Sequence, residues 1–296
     1  MAGMRQFVGT DGTDGAVSAF GVLRAQGLRA ARRQQAAPDR QARLNRTIEG
    51  EIIPRLMLAH RVARAADPQP GLQERTPDPE DVAEFARLVL AHDGDVAVSF
   101  VQVLRAEGMS LEALFVDLLA PTARLLGDLW RADLCDFTDV TVGVSRLQQI
   151  MRAFSPDFED GGGWQAGRRA LMVPVPGEQH TLGVAMVAEF YRRDGWEVSG
   201  EMPRTRAELV DLVRDEWFTA VGLSLSCEGL LGETASIIQL IRRKSLNRSV
   251  TIMVGGQLFL HDADLGRRVG ADLTTGDGAS AVARSNDLLG RMAMGA

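Results

Sequence analysis

Cysteine is nearly missing from these 296 residues: Cys135 and Cys227 are the only two, and their separation matches no metal-ligand spacing. A reduced, cytoplasmic protein is the expectation. Lysine is scarcer still, with Lys244 alone, so the positive charge is carried by arginine, a compositional bias with no mechanism attached. Positive charge is not in excess either: 33 Lys and Arg stand against 39 Asp and Glu, a net charge of −6. That excludes a dominant nucleic-acid footprint, which is normally basic. No run approaches the roughly 18 consecutive apolar residues of a membrane span. The opening MAGMRQFVGTDGTDG lacks the charged-then-apolar layout of a secretory signal. What is present is ordinary for a soluble globular protein: 45% hydrophobic and 24% charged residues, in a length that suggests two domains.

Residues 1–42 are rich in Gly, Ala, Arg and Gln and read as a poorly ordered leader. The stretch 43–66 has helical apolar spacing at Ile48, Ile52, Ile53, Leu56 and Met57, despite Pro54. The proline-rich ADPQPGLQERTPDPED that follows reads as a linker ending in helix-starting acids. From 79 to 158 the pattern is helical: EDVAEFARLVLAH, DVAVSFVQVLRAEG, SLEALFVDLLAPTARLLGDLWRAD with Ser110 as N-cap, and DFTDVTVGVSRLQQIMRAF. Four helices on short connections predict a small antiparallel bundle. SPDFEDGGGWQAGR reads as a Gly-rich linker. From 169 to 296 strands alternate with helices. Strands are expected at ALMVPV, EVSGEM, AVGLSLS, TIMVGG and LTTG, and helices at 183–194, 205–215, 230–245, 262–268 and 278–293. Five strand–helix units predict an α/β domain, a parallel, doubly wound, Rossmann-like (flavodoxin-like) sheet.

The unusual residues of that α/β domain fall at the carboxyl ends of its strands. Glu178, Gln179, His180, Thr181 and Gly183 follow the first; Ser224 and Ser226 end the third. Gly255 and Gly256 follow the fourth, and Gly276 and Asp277 the fifth. In an open α/β sheet those ends line one crevice. The loop PGEQHTLG has no G-x-G-x-x-G for a dinucleotide, and no G-K-[ST] marks a P-loop, so NAD and ATP are not expected. A histidine with an acid two residues before it suits metal ligation, because a ligating imidazole usually donates its other N–H to a carboxylate. Taken alone, a loop histidine is more often a solvated residue; the converging serines and glycines favour the ligand reading.

The series E178-Q-H180-T-L-G183, S224-L-S226 and G255-G256 resembles the cobalamin-binding domain that carries D-x-H-x-x-G, S-x-L and G-G. The resemblance implies that His180 replaces the cofactor's own benzimidazole as lower axial ligand of cobalt. It also implies that the displaced nucleotide tail lies in a channel lined by small serines and glycines. The chain departs from the pattern at Glu178, where the family has Asp, and at Ser226, where it has Leu, which would make the channel more polar. In such modules a helical bundle precedes the α/β domain and caps the corrin, which makes Trp130 in LLGDLWRADLCDFTDVT the candidate cap. Light-sensing cobalamin repressors carry a Glu-His pair about ten residues beyond that tryptophan; here the stretch is Asp139-Val140-Thr141, with no histidine to serve as upper ligand. LWRADLCDFTDVT, with EGEIIPRLMLAHR, is similar to a narrower group, the cobalamin-binding antirepressors of photosynthesis genes (AerR/PpaA type). Membership would imply a non-catalytic, light- or cobalamin-responsive regulator whose partner is a redox-responsive transcriptional repressor (CrtJ/PpsR type), with any effect on nucleic acid mainly indirect. The alternative is a corrinoid carrier of a methyltransferase system. No Ser-His-Asp arrangement marks a hydrolase; His60, His92 and His261 read as helix-end or surface residues.

Overall fold

A computed structural model describes residues 74–91, 94–159, 163, 165–262 and 264–294. The leader and helix expected over 1–42 and 43–66 lie outside the described residues, as do His60 and His92. The chain divides into two compact units, Met1–Ile150 and Met151–Ala296.

In the first unit, α1 (Pro79–Leu90) starts at a reciprocal cap. The Asp78 carboxylate accepts from the amides of Glu80 and Asp81, the Asp81 carboxylate accepts from the Asp78 amide, and Pro79 supplies the first helical residue. Next comes α2 (Gly94–Ala106). Ser110 then caps α3 (Leu111–Ala113) as expected, accepting from the Ala113 amide at 3.1 Å. The long third helix is not uniform: it widens into a π-helical turn over Leu114–Leu119 before α4 (Ala120–Arg131). Pro121 is the physical reason, since its ring has no N–H to donate and crowds the carbonyl four residues back. Helix α4 stops where Asp133 takes φ 55°, with the Leu134 amide bonded to the Leu129 carbonyl at 2.9 Å. Asp136 and Asp139 then cap each other's amides to open α5 (Phe137–Glu159). Phe85, Phe115, Leu118, Leu126, Leu129 and Leu147 form the fully buried centre.

Helix α5 runs five residues into the stretch expected to be a Gly-rich linker, passing Pro156. Pro156 removes one backbone hydrogen bond, but Phe158 is buried. Its ring meets Phe190 edge-on at 5.0 Å, with the Arg193 guanidinium 4.6 Å from its centre. Burying an aromatic ring stabilises by about 1.5–3 kcal/mol, more than one exposed hydrogen bond contributes.

In the second unit, β1 (Arg169–Pro174), β2 (Glu197–Val198), β3 (Ala220–Ser224), β4 (Thr251–Gly255) and β5 (Leu273–Thr275) form one parallel sheet in the order β2-β1-β3-β4-β5. This is the flavodoxin-like winding. Between the strands lie α6 (Leu182–Arg193), α7 (Arg206–Asp215), a 3-10 turn (Glu228–Leu230) leading into α8 (Leu231–Lys244), α9 (Gln257–His261) and α10 (Asp264–Val269), with α11 (Gly278–Met294) last. Central strands are apolar on both faces because helices cover both: Leu171, Val173, Val221, Leu223, Ile252 and Val254 are all at or below 2% exposure. One expectation needs correction. EVSGEM contributes only two strand residues, because after Ser199 bonds to Ala170 the exposed Gly200 and Glu201 offer nothing apolar to bury. The helix expected at 262–268 is α10, and a further short helix that was not expected, α9, precedes it at Gln257–His261. No helix among the described residues is long and apolar enough to cross a membrane.

Candidate functional site

The site grows out of a turn at the end of β1. Val175, Pro176, Gly177 and Glu178 close it, with the Glu178 amide donating to the Val175 carbonyl at 2.8 Å. Pro in the second place and Gly177 at φ 94° in the third are what a type II turn requires. The turn reverses the chain so that Glu178 faces the end of β3. There the sheet register sets Pro174 beside Ser224, and Ser224 beside Gly255.

The Glu178 side chain is 3% exposed, yet it is saturated with donors. Its Oε1 accepts from the amides of Gln179 (2.8 Å) and His180 (2.9 Å) and from His180 Nδ1 (2.6 Å). Its Oε2 accepts from the Ser226 amide (2.7 Å) and the Ser226 hydroxyl (2.6 Å). Burial alone would raise the carboxyl pKa. The Ser226 hydroxyl, the His180 and Ser226 amides and the imidazole outweigh it and bring the pKa down from 4.5 to about 2. Glu178 is therefore an anion that only accepts. The Ser226 oxygen, while donating to Glu178, also lies 2.8 Å from His180 Nδ1 and accepts there. This hydrogen-bond inventory assigns the proton of the neutral imidazole to Nδ1 and leaves a lone pair on Nε2. The ring itself is 80% exposed. One fixed, solvent-facing imidazole nitrogen suits a metal whose other ligands arrive with it in a macrocycle, as in axial ligation of haem.

The other sequence-predicted residues of this unit lie at the carboxyl-terminal ends of the strands. Leu225, between the two serines, donates its amide to the Gly255 carbonyl at 2.9 Å. Gly256 adopts φ 108°, and a Cβ there would run into the Leu225 backbone, so the two loop ends approach as only glycine allows. Gly183 opens α6 beside empty space that a Cβ would begin to fill, and a Cβ on Gly276 would meet a Leu260 methyl. Thr181 precedes α6, its carbonyl accepting from the Ala185 amide at 3.0 Å. The Asp277 carboxylate caps α11, accepting from the Ser280 amide and hydroxyl, each at 2.8 Å. The Ser226 hydroxyl, expected to line a channel, also belongs to the Glu178–His180 pair. Cys227, next in the chain, is free and exposed.

Trp130 lies in the other unit. It is half exposed on the last turn of α4, with the ring of Phe137, 68% exposed, edge-on at 6.5 Å. The Asp133 turn brings these two aromatics together.

The sequence and the fold have counterparts among known proteins. Residues 168–285 match the family model described as the B12 binding domain. An uncharacterised 20.5 kDa protein of the bchF-crtJ intergenic region of Rhodobacter capsulatus is 29% identical over 174 residues, which is 58% of this chain and 90% of that protein. The monomethylamine corrinoid protein of Methanosarcina barkeri has the same fold. It superposes with a TM-score of 0.60 at 14% identity, over 72% of this chain and 100% of its own.

Proposed function

We propose that this chain, whose residues 168–285 are a B12-binding domain, is a cobalamin-binding regulator that acts as an antirepressor on a transcriptional repressor protein. The observation that carries cofactor ligation is the clamp on His180. Five donors fix Glu178, and Glu178 with Ser226 fixes Nδ1, so the imidazole would offer Nε2 to the cobalt. Cobalamin, when bound, would supply a cobalt that an imidazole can ligate. The chain's own residues do the rest. Glu178 and Ser226 would hold the tautomer, Gly183 leaves open space where a Cβ would stand, and Ser224, Gly255 and Gly256 keep the side chains small at the sheet edge where a bulky tail would lie. The regulatory reading is supported by the similarity to antirepressors of photosynthesis genes and by the Rhodobacter relative, whose region is bounded by crtJ, the gene for which one repressor type is named. The acidic net charge favours action through a protein over direct binding to DNA.

The test starts with hydroxocobalamin added in the dark, desalting, and an absorption spectrum of wild type beside His180→Ala. Wild type is expected to retain a shifted corrin spectrum that the variant loses or alters. Loaded protein is then titrated into a complex of a CrtJ/PpsR-type repressor with its DNA, in the dark and after illumination. Repressor–DNA affinity that stays unchanged at every loading overturns the antirepressor reading and leaves the corrinoid-carrier one. Colourless protein after desalting overturns both.

A further inference from the structure

Helix α2 carries two apolar stripes, and the described residues cover one. Ala97, Val101 and Leu104 are buried, at most 2% exposed, with α2 packed against α1. A second set with the same spacing, Val96, Phe100 and Val103, runs beside it. Phe100 stacks on Phe85 at 5.9 Å, but Val96 and Val103 remain 39% and 40% exposed. Asp95, Ser99, Gln102 and Arg105 make the polar side of α2, and the two stripes together form one wide apolar face, of the kind a helix normally packs against other elements. We propose that the Val96–Phe100–Val103 stripe of α2 is the seat of residues 43–66 of the same chain, bound as an amphipathic segment.

Three observations choose this occupant. The chain enters the bundle at the right place: the Arg75 amide bonds to the Gly108 carbonyl at 3.3 Å and its guanidinium pairs with Glu107, both just past the C-terminal end of α2. The reach is sufficient, since residues 67–74 extend up to about 28 Å and a helix of 13 residues is about 20 Å long. The chemistry is complementary in both respects. Residues 43–66 set Ile48, Ile52 and Leu56 at helical spacing and carry five arginines against two glutamates, whereas residues 74–150 carry fourteen carboxylates against six arginines. Apolar contact seats the segment, and its arginines face an acidic bundle.

The test is amide hydrogen exchange of the full chain, comparing wild type, Val96→Glu/Val103→Glu and the control Leu246→Glu, an exposed site in the other unit. Residues 43–66 are expected to exchange at least about tenfold more slowly than an unstructured chain in wild type and in the control, independent of protein concentration. The double variant is expected to lose that protection while residues 168–285 stay unchanged. Three results overturn the proposal: no protection of 43–66 in wild type, protection that survives the double variant, or protection that falls on dilution, which would assign the stripe to a second copy. Should the glutamates loosen residues 79–150 themselves, Val96→Ser/Val103→Ser is read by the same criteria.

Discussion

Replacing Glu178 with Gln keeps the shape and removes the charge, and the structure sets both the sign and the size of the effect. Each carboxylate oxygen faces donors: the Gln179 and His180 amides with His180 Nδ1 on one side, the Ser226 amide and hydroxyl on the other. Whichever way the new amide turns, its NH2 confronts backbone N–H groups. The folded protein holds the Glu178 pKa at about 2, against 4.5 ordinarily, and each pH unit corresponds to about 1.4 kcal/mol. That difference sets an upper bound of about 3 kcal/mol, which screening at the solvent-facing imidazole reduces to about 1–2 kcal/mol. A depressed folded-state pKa stabilises above the unfolded value, and that stabilisation is lost as pH falls through 4.5 toward 2. Urea unfolding of the cofactor-free full chain from pH 8 to pH 4 reads this directly. Wild type should exceed Glu178→Gln by a constant margin down to about pH 5.5, and the margin should shrink below about pH 4.5. Equal stabilities at neutral pH, or a margin that grows in acid, would refute the assigned carboxylate network.

Ser226→Ala keeps the amide that bonds Glu178 but deletes the hydroxyl shared with His180; hydroxocobalamin affinity, from a spectral titration, should fall about tenfold, the usual cost of removing an outer partner of a metal-bound histidine. Gly256→Ala forces a Cβ against the Leu225 backbone at φ 108°; a loss of about 1–3 kcal/mol is expected in urea unfolding, and an unchanged midpoint would mean the loop ends do not approach as described.

The sheet was legible because its signals are local. The three central strands are apolar runs closed by Pro, Ser or Gly, and His180 stands just beyond the first of them, in a loop whose Pro176-Gly177 pair already encodes the turn. The π-helical turn had a signal too, in Pro121. Asp277 shows where a local sign was passed over: an acid three residues before Ser280 at a helix start is an N-cap pattern, and the carboxylate does cap α11. The extension of α5 past Pro156 was not legible, because what sustains it is Phe190, more than thirty residues on. Nor was the place of Ser226, since its hydroxyl meets Glu178 across 48 residues of sequence and only through the pairing of β1 with β3.

That pairing also explains why two departures from the cobalamin motif occur together. Ser224 lies in register with Pro174, so the residue two places beyond Ser224 arrives opposite the turn that presents Glu178. A leucine there would still offer its amide to a carboxylate but could not bond the imidazole. Serine adds a hydroxyl that donates to Oε2 and accepts from Nδ1. The longer glutamate, in turn, spans from its own loop, where Oε1 serves two amides and the ring, to the β3 end, where Oε2 takes both Ser226 donors. The extra methylene and the extra hydroxyl therefore belong to one device. It fixes the histidine from two chain segments at once, so a shift of either loop at the sheet edge reorients Nε2, the nitrogen proposed to meet the cofactor.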